Sequence, residues 1–214
     1  MNWGYLRPIP WLDTRARFVS QARRGGSLLD LGSSDGETLN HIAELRPDLA
    51  LFAADKFGRP ELYPKGCQFQ RMDFEHDPIP WIAESMDAVT CMHVVEHLQK
   101  PDKLFAEIAR VLKPGGRAYF ETPHPKTLHL PSLRGVFTMN FHDDPTHTQI
   151  VTTEAIAGLA RANRLEVESS GISRNWIFAA SHLLFRFFPP SRKKYTAQVH
   201  WIGWSAFLIA RKPA

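Results

Sequence analysis

The sequence predicts an α/β fold in which helices wrap a parallel sheet on both faces. Apolar runs alternate with helical patterns from about residue 15 to residue 175, which is typical of such a sheet. The first run leads directly into a glycine turn and a helix start, LLDLGSSDGE at residues 28–37. Three later runs stop at a polar residue, namely Asp55, Asp73 and His93. Ligands bind at the carboxyl ends of parallel strands, so the sequence predicts a ligand site at that edge.

The first half of the chain contains four predicted strands. The strand at 27–31 precedes a helix at 36–46, which stops before Pro47 because proline cannot continue a helix. The next three strands are predicted at 50–54, 68–72 and 88–92. Gly32 and Gly36 bracket the turn after the first strand, where glycine permits a positive φ and a close approach of the backbone to a ligand.

The second half begins with the best-defined helix, which Pro101 can open. Its apolar face is formed by Leu104, Ile108, Val111 and Leu112, which recur at helical spacing. The Lys-Pro-Gly-Gly sequence at 113–116 is predicted to stop this helix, and a fifth strand begins at 117–121. A helix at 153–163, a strand at 165–170 and a last strand at 205–210 complete the predicted elements.

The composition favours one domain covering residues 1–214. Hydrophobic residues make up 43% of the chain and charged residues 22%, which is ordinary for a globular protein. The sequence shows no secretory signal and no apolar run long enough to cross a bilayer. Cys67 and Cys91 form no C-x-x-C pair, so a reduced, cytoplasmic location is expected. The net charge of +4 is compatible with an anionic substrate or a membrane surface.

Three regions lie outside the predicted sheet unit. Residues 1–24 are expected to form a helical lead-in, and the segments 123–150 and 175–202 are long for ordinary connections. Long ordered loops are often functional, so both segments are expected on the acceptor side of the site. No nucleic-acid-reading motif or extended basic stripe is present.

The polar residues at the strand ends suit a nucleotide-like ligand. Asp55 follows Gly32 at about the interval of the carboxylate that binds a ribose hydroxyl. Asp73 is placed to accept a hydrogen bond from an exocyclic amine. A helix cap or a turn residue would explain either aspartate without a ligand.

Together, LLDLGSSDG, the Asp55 and Asp73 strand ends, and DAVTCMHVVEHLQKPDKLFAEIARVLKPGG resemble the class I S-adenosylmethionine-dependent methyltransferases, in their broad small-molecule group. The resemblance covers about residues 25–170. It implies a Rossmann-like, doubly wound sheet of seven strands whose last strand is antiparallel, with S-adenosylmethionine bound over strands one to four and S-adenosylhomocysteine as product. The cofactor-binding residues that it implies are Asp30, Gly32, Ser33, Ser34, Gly36, Asp55, Lys56, Asp73, Phe74 and His93.

One position departs from the family pattern, because Ser34 stands where the middle glycine of Gly-x-Gly-x-Gly is usual. The same turn also reads as the Gly-x-Ser-x-Gly nucleophile elbow of α/β-hydrolases. Only about 26 residues precede its strand, too few for the strands that a hydrolase needs before the elbow. Glu37 replaces the third glycine of G-x-G-x-x-G, which disfavours a dinucleotide dehydrogenase.

Histidines after the fourth strand have two interpretations. If a helix begins just after His93, then His93, Glu96 and His97 share one face. His147, in the next long loop, can reach the same side of the ligand site. Similar methyltransferases of the ubiquinone pathway and of small-RNA ends use a Glu-x-x-Glu-His cluster for metal; here His93 replaces the first glutamate. The alternative, which we favour, is that Glu96 and His97 fix the loop by hydrogen bonds and that no metal is bound.

The segment FHDDPTHT at 141–148 is similar to the Asp-Pro-Thr-His stretch of bacterial methyltransferases of glycan pathways. Imidazole groups in general titrate near neutral pH, so His147 is the first candidate for the general base, with His93 and His97 as further catalytic candidates. The alternative is a loop held by local turns.

The aromatic and basic segment at 183–194 has three interpretations: a cap over the active site, a membrane-surface contact, or a packed helix with a solvated basic turn. The predicted function is methyl transfer from S-adenosylmethionine to a small-molecule or glycan acceptor, with a hydroxyl favoured by the many histidines. A metal-assisted O-methyltransferase using His93, Glu96, His97 and His147, and a non-catalytic S-adenosylmethionine-binding regulatory module, are the alternatives.

Overall fold

Seven strands form one mixed sheet in the computed structural model, which describes residues 3–131 and 139–214. The strand order is β3-β2-β1-β4-β5-β7-β6. Strands β1 to β5 are parallel to one another, and β7 is antiparallel to both β5 and β6. The strands are β1 Ser27–Leu31, β2 Ala50–Asp55, β3 Gln68–Arg71, β4 Met86–Met92, β5 Leu112–Pro123, β6 Glu166–Ser173 and β7 Ser205–Arg211. The Rossmann-like prediction is confirmed, including the antiparallel last strand.

Six α-helices lie in the described residues. They are α1 Thr14–Ser20, α2 Glu37–Leu45, α3 Asp102–Val111, α4 Thr153–Ala162, α5 Trp176–Phe185 and α6 Arg192–Ile202. None of these helices is long and apolar enough to cross a bilayer.

The core consists of two layers, one on each face of the sheet. Successive strand residues point to opposite faces, so Leu29 packs with α3 and α4 while Leu28 packs with α1 and α2. In β5, Phe120 belongs to the first layer and Tyr119 to the second. Helices therefore cover both faces, and the carboxyl ends of the parallel strands stay open as a ligand edge.

Two predicted boundaries were wrong. Leu112 lies in β5 and not on the helix, because the backbone leaves α3 after Val111 and pairs Leu112 with Met86. β5 therefore begins at Leu112 and includes residues 113–116, whereas the predicted strand began at residue 117. A positive φ of 77° at Gly115 accommodates the irregular register that follows. No α-helix begins directly after His93, where Val95–His97 forms a single 3-10 turn that is too short to create a helical face.

The lead-in is tied to the far end of the chain. It contains 3-10 turns at Trp3–Leu6 and Pro10–Leu12 and then α1; Met1 and Asn2 lie outside the described residues. Asp13 caps α1 by accepting a hydrogen bond from Ala16, and it also accepts one from the Asn175 side chain at 2.9 Å. This contact fixes the start of α1 beside the start of α5.

The two long segments are largely ordered around short helices. The 123–150 segment contains 3-10 turns at Pro125–His129 and Phe141–Asp143, and its residues 132–138 lie outside the described part. The 175–202 segment forms α5 and α6, which pack against each other between β6 and β7.

Candidate cofactor and acceptor site

The turn after β1 has a backbone shape that favours glycine at three alternate positions. Gly32, Ser34 and Gly36 have positive φ values of 81°, 46° and 79°. A Cβ at Gly32 would collide with the Val94 side chain, and one at Gly36 would lie 2.5 Å from the Tyr63 ring. Ser34 therefore adopts the conformation of the glycine that it replaces, and it does so with a side chain that is exposed.

Asp55 at the end of β2 is held against this turn. Its carboxylate accepts hydrogen bonds from the backbone N–H of Ser34 at 2.9 Å and of Phe57 at 2.5 Å. An ionised carboxylate has about four lone-pair sites, so two remain for further donors. The arrangement leaves room for hydroxyl donors such as those of a ribose, and the role of Asp55 stays a prediction.

Asp73 and Phe74 follow β3, and Lys56 follows the neighbouring strand β2. Lys56 donates to Asp73 at 2.7 Å, and this hydrogen bond lowers the pKa of the Asp73 carboxyl. Phe74 is partly buried against the core. The three residues offer a charged edge and an apolar ring on the side of the site next to Asp55.

Asp30 and Ser33 support the turn from below. Asp30 is buried in β1 and accepts a hydrogen bond from Thr90 at 2.6 Å; burial raises the pKa of its carboxyl to about 7. Ser33 shares a 2.8 Å hydrogen bond with the Tyr63 hydroxyl, which itself donates to the Ser34 carbonyl. Both predicted residues are thus engaged with the protein around the turn.

His93 lies at the end of β4 with both ring nitrogens occupied. Nδ1 is 3.0 Å from Glu96, and Nε2 is 3.3 Å from both Glu121 and the Ser205 hydroxyl. Burial lowers the pKa of His93, but the hydrogen bonds and charges of Glu121 and Glu96 outweigh it and raise the pKa to about 9. The ring is therefore protonated at neutral pH and acts as a donor on both sides.

Glu121 joins His93 to the N-terminal lead-in. Arg15 donates two hydrogen bonds to its carboxylate, at 2.9 and 2.5 Å, and Tyr119 donates a third at 2.7 Å. Burial raises the pKa of Glu121, but the charges and hydrogen bonds of Arg15 and His93 dominate and hold it well below its usual range. Glu121 is a buried anion with a full set of partners.

Two neighbouring cavities lie over this cluster. The smaller, about 310 Å³, is lined by His93, Glu121 and Ser205 at the strand ends and by Tyr195 from α6. The larger, about 810 Å³, extends between the start of α2 and the α5–α6 pair. Arg15, Ser173 and His200 line both cavities, so these residues lie at the boundary between them.

His200, which lines both cavities, has a defined tautomer. Its Nδ1 accepts a hydrogen bond from the Asn175 backbone N–H at 3.1 Å, and burial, aided by the charge of Arg15, lowers the pKa of the ring to about 4. The neutral ring must then carry its hydrogen on Nε2. His200 offers a hydrogen-bond donor to a molecule in the cavities.

Residues 141–148 contribute to a second cluster, which lies next to Glu96. The side chain of His147 is buried, stacks on Phe141 with ring centroids 4.4 Å apart, and donates from Nδ1 to the Phe141 carbonyl at 2.7 Å. Its Nε2 is 3.8 Å from Asp144, and its ring centroid is 4.9 Å from that of His97. The Nε2 lone pair of His147 therefore remains available as an acceptor.

Glu96, His97 and His147 have the geometry of a candidate metal site. One ligand atom from each lies within 4.8 Å of the others, and Glu96 Oε2 is buried with no hydrogen-bond partner among the described residues. His93 does not belong to this group, because its nitrogens point to Glu96 Oε1 and to Glu121. Of the four residues in the metal-site interpretation of the sequence, which was the less favoured alternative, three lie together in the structure.

Comparison with known proteins identifies the family to which the chain belongs. A family model described as a methyltransferase domain matches residues 4–170. The chain belongs to this family. As a methyltransferase it uses S-adenosylmethionine, and its sheet order is that of the class I enzymes.

Relatives of this methyltransferase include a ubiquinone biosynthesis O-methyltransferase of Thiobacillus denitrificans, 28% identical over 78% of this chain and 74% of the relative. Among solved structures, an S-adenosylmethionine-dependent methyltransferase from Mesorhizobium loti has a TM-score of 0.66 and 16% identity over 96% of this chain and 98% of that chain. A phosphoethanolamine N-methyltransferase of Haemonchus contortus in complex with S-adenosyl-L-methionine has a TM-score of 0.62 and 17% identity over 92% of this chain and 51% of that chain. At such identities the structural matches establish the fold only.

The glycine turn of the methyltransferase fits this cofactor. The left-handed backbone at Gly32, Ser34 and Gly36 and the two remaining acceptor sites on Asp55 are the groups that would hold a nucleoside with a short charged tail. When bound, S-adenosylmethionine supplies a methyl group already activated by the sulfonium.

Several site residues of the methyltransferase were missed by the sequence prediction. Arg15 and Glu121 were not singled out because they lie 106 positions apart, and His200 was included only in the 175–202 segment expected on the acceptor side. Nothing in the sequence around Tyr63 indicated that it would contact the glycine turn. An Arg in the lead-in facing a Glu at the end of β5 is a pairing that only the fold reveals.

Proposed function

We propose that this methyltransferase methylates a hydroxyl of a small-molecule acceptor bound in the smaller cavity beside His93. The observation that carries the proposal is the 310 Å³ cavity over the carboxyl ends of β4 and β5, which shares His93 with the predicted cofactor edge. The names of relatives such as the Thiobacillus O-methyltransferase support a hydroxyl acceptor. A glycan acceptor is supported only by the Asp-Pro-Thr-His loop at 144–147.

The protein's contribution is mainly alignment and exclusion of water. In this proposal His93 positions the acceptor side of the cavity, because an imidazolium with both protons engaged by Glu96 and Glu121 cannot remove a proton. His200 donates from Nε2 to an acceptor oxygen and so orients the substrate.

His147 remains our candidate for the general base. Its Nδ1–H is held by the Phe141 carbonyl at 2.7 Å, which fixes the tautomer that leaves Nε2 unprotonated. A base must lie within hydrogen-bond reach of the proton that it takes. His147 lines neither cavity, so it can act as the base only for an acceptor whose hydroxyl extends beyond the smaller cavity to the side of His147 that faces His97 and Asp144.

A second candidate is metal-assisted O-methylation. It is favoured by one specific observation, the buried Glu96 Oε2 that lacks a hydrogen bond beside His97 and His147. A buried carboxylate oxygen without a partner is costly, and a divalent cation would satisfy it. Imidazole and carboxylate ligands together suit zinc, manganese or iron, and such an ion would lower the pKa of the acceptor hydroxyl.

The two mechanisms predict different losses of turnover in the His147 and His97 variants. Calorimetry first measures S-adenosylmethionine affinity, and turnover is then followed on phenol, catechol and sugar acceptors with and without a strong chelator. If His147 is the base, His147→Ala loses about a hundredfold or more in turnover, His97→Ala loses less, and chelation has no effect. If a metal assists, both variants lose comparable turnover and chelation abolishes it.

His129→Ala is the matched control, because His129 is an exposed histidine of the same loop that lies outside the cluster. Unchanged turnover in His147→Ala with an intact metal response would remove His147 from both mechanisms. S-adenosylmethionine binding without turnover on any acceptor would contradict O-methylation and favour the regulatory module.

A further inference from the structure

The end of α5 exposes a group of large apolar side chains. Leu183, Leu184, Phe187 and Phe188, here called the apolar corner, are all exposed; Phe187 is 74% and Leu184 61% accessible. Leu183 and Leu184 lie in the last turn of α5, and Phe187 and Phe188 lie in the turn that follows, where their backbone N–H groups donate to the carbonyls of Leu184 and Phe185. Of the α5 residues, Ala179 is buried while Trp176 and Ile177 are also exposed. A contiguous apolar surface of this kind marks an interaction site.

Basic residues surround the apolar corner. Arg186, Arg192, Lys193 and Lys194 lie within or just after it, and no Asp or Glu follows Glu168 in the sequence. The side chain of Arg192 is 84% exposed, and its ion pair with Glu37 is 4.0 Å long. The corner therefore carries a concentrated positive charge.

Apolar and basic groups are held together as one unit. Lys194 donates to the backbone carbonyls of Arg186 and Phe188, at 3.0 and 2.7 Å, and so joins the start of α6 to the end of α5. The Arg186 guanidinium lies over the Phe187 ring, 4.7 Å from its centroid. Both classes of side chain are thereby presented at one end of the α5–α6 pair.

We propose that the apolar corner docks on the surface of an anionic lipid bilayer. Exposed leucine and phenylalanine next to arginine and lysine is the pattern of an interfacial membrane contact, in which apolar groups enter the acyl boundary and cations remain among the headgroups. The positive charge complements an anionic surface, and it would oppose close packing against a second copy of the same corner. A ten-residue α5 is too short to span a bilayer, so the contact lies in the interface.

The docked corner adjoins the larger cavity. Phe185 of α5 and Lys193 of α6 line that cavity and are sequence neighbours of the corner. If the proposed function holds, the acceptor would enter from the membrane surface, which favours an amphiphilic molecule. The docking itself does not depend on that function, because it needs neither cofactor nor acceptor.

Vesicle co-sedimentation tests the proposal without a methylation assay. The full chain is mixed with phosphatidylcholine vesicles that contain either no anionic lipid or about one third phosphatidylglycerol. We expect binding to the anionic vesicles that falls steeply with added salt. Binding to neither kind of vesicle, or equal binding to both, would overturn the proposal.

Two variants and one control assign the binding surface. The double variant Leu184→Ser with Phe187→Ser removes apolar groups and is expected to lower the bound fraction about tenfold or more. The double variant Arg186→Glu with Lys193→Glu reverses charge and is expected to lower it at least as much. Ile82→Ser, at an isoleucine that is 80% exposed elsewhere, should bind like the original protein.

Circular dichroism and thermal unfolding verify that each variant folds, and light scattering reports its oligomeric state. Wild-type binding by both folded double variants would contradict the assignment of the corner. A dimer that the Leu184→Ser/Phe187→Ser variant converts to a monomer would identify a self-association surface and would also overturn the proposal. Loss of vesicle binding with S-adenosylmethionine affinity unchanged would support docking whatever the acceptor is.

Discussion

Replacement of Ser34 by glycine is expected to stabilise the protein. Ser34 has a φ of 46°, and a left-handed conformation costs an ordinary residue about 1–2 kcal/mol, whereas glycine adopts it freely. Glycine also makes the unfolded chain more flexible, which offsets about 0.4–1 kcal/mol. The hydrogen bonds of Ser34 to described residues come from its backbone, so the substitution removes none. We expect a net gain of about 0.5–1 kcal/mol, or a rise of roughly 1–4 °C in Tm.

Differential scanning calorimetry measures this gain with and without S-adenosylmethionine. Ser34→Ala is the matched control, because it removes the hydroxyl but keeps the Cβ and the strain; its Tm should stay close to that of the original protein. Equal Tm values for the glycine and alanine variants would refute the strain argument. A lower Tm for Ser34→Gly would show that unfolded-state entropy dominates at this turn. Cofactor affinity is expected to be retained or increased, because glycine removes a side chain from the turn.

Three further outcomes are expected. Arg15→Met should lower the free energy of unfolding by about 3–5 kcal/mol, since it leaves Glu121 buried without its bidentate partner; a loss below about 1 kcal/mol by urea unfolding would contradict that role. Asp30 has a folded pKa of about 7, above its ordinary value near 4, so its stabilising contribution is present below about pH 4 and lost as pH rises through 7. Asp30→Asn, which can still accept from Thr90, should therefore flatten the pH dependence of stability between those values, by up to about 4 kcal/mol; an unchanged slope would argue against a protonated Asp30. His200→Ala should raise the acceptor KM roughly tenfold with S-adenosylmethionine affinity unchanged, while His200→Gln, which retains a donor, should recover part of the loss; equal KM values for both would count against a hydrogen bond from Nε2.

The cofactor half of the site could be predicted because its signals are local. A strand, a glycine turn and a helix start within residues 27–37 specify where backbone N–H groups point. Asp55 and Asp73 are positioned by the ends of their own strands. Even the Ser34 departure is explained locally, since the backbone keeps the glycine conformation and the serine adopts it.

The acceptor half depends on contacts between distant segments. Arg15 is recognised as a site residue only through its ion pair with Glu121, and His200 only through its hydrogen bond with the Asn175 backbone. Leu112 fits the apolar face of α3 by spacing, yet strand pairing with Met86 draws it into the sheet. The grouping of His93 with His97 assumed a helix that the chain replaces with one 3-10 turn, so the two histidines belong to different clusters.

The placement of α5 and α6 between β6 and β7 has a consequence for engineering. These strands are antiparallel neighbours, with Ser173 paired to Ser205, and such neighbours can be joined by a two-residue turn. The sheet therefore does not require residues 174–204, and this insert lies beyond the segment matched by the family model. We expect that this segment can be exchanged between members of the fold together with its contact to Asp13. It would then bring Tyr195 and His200, which line the proposed acceptor cavity, to a host that keeps its own strand-end residues.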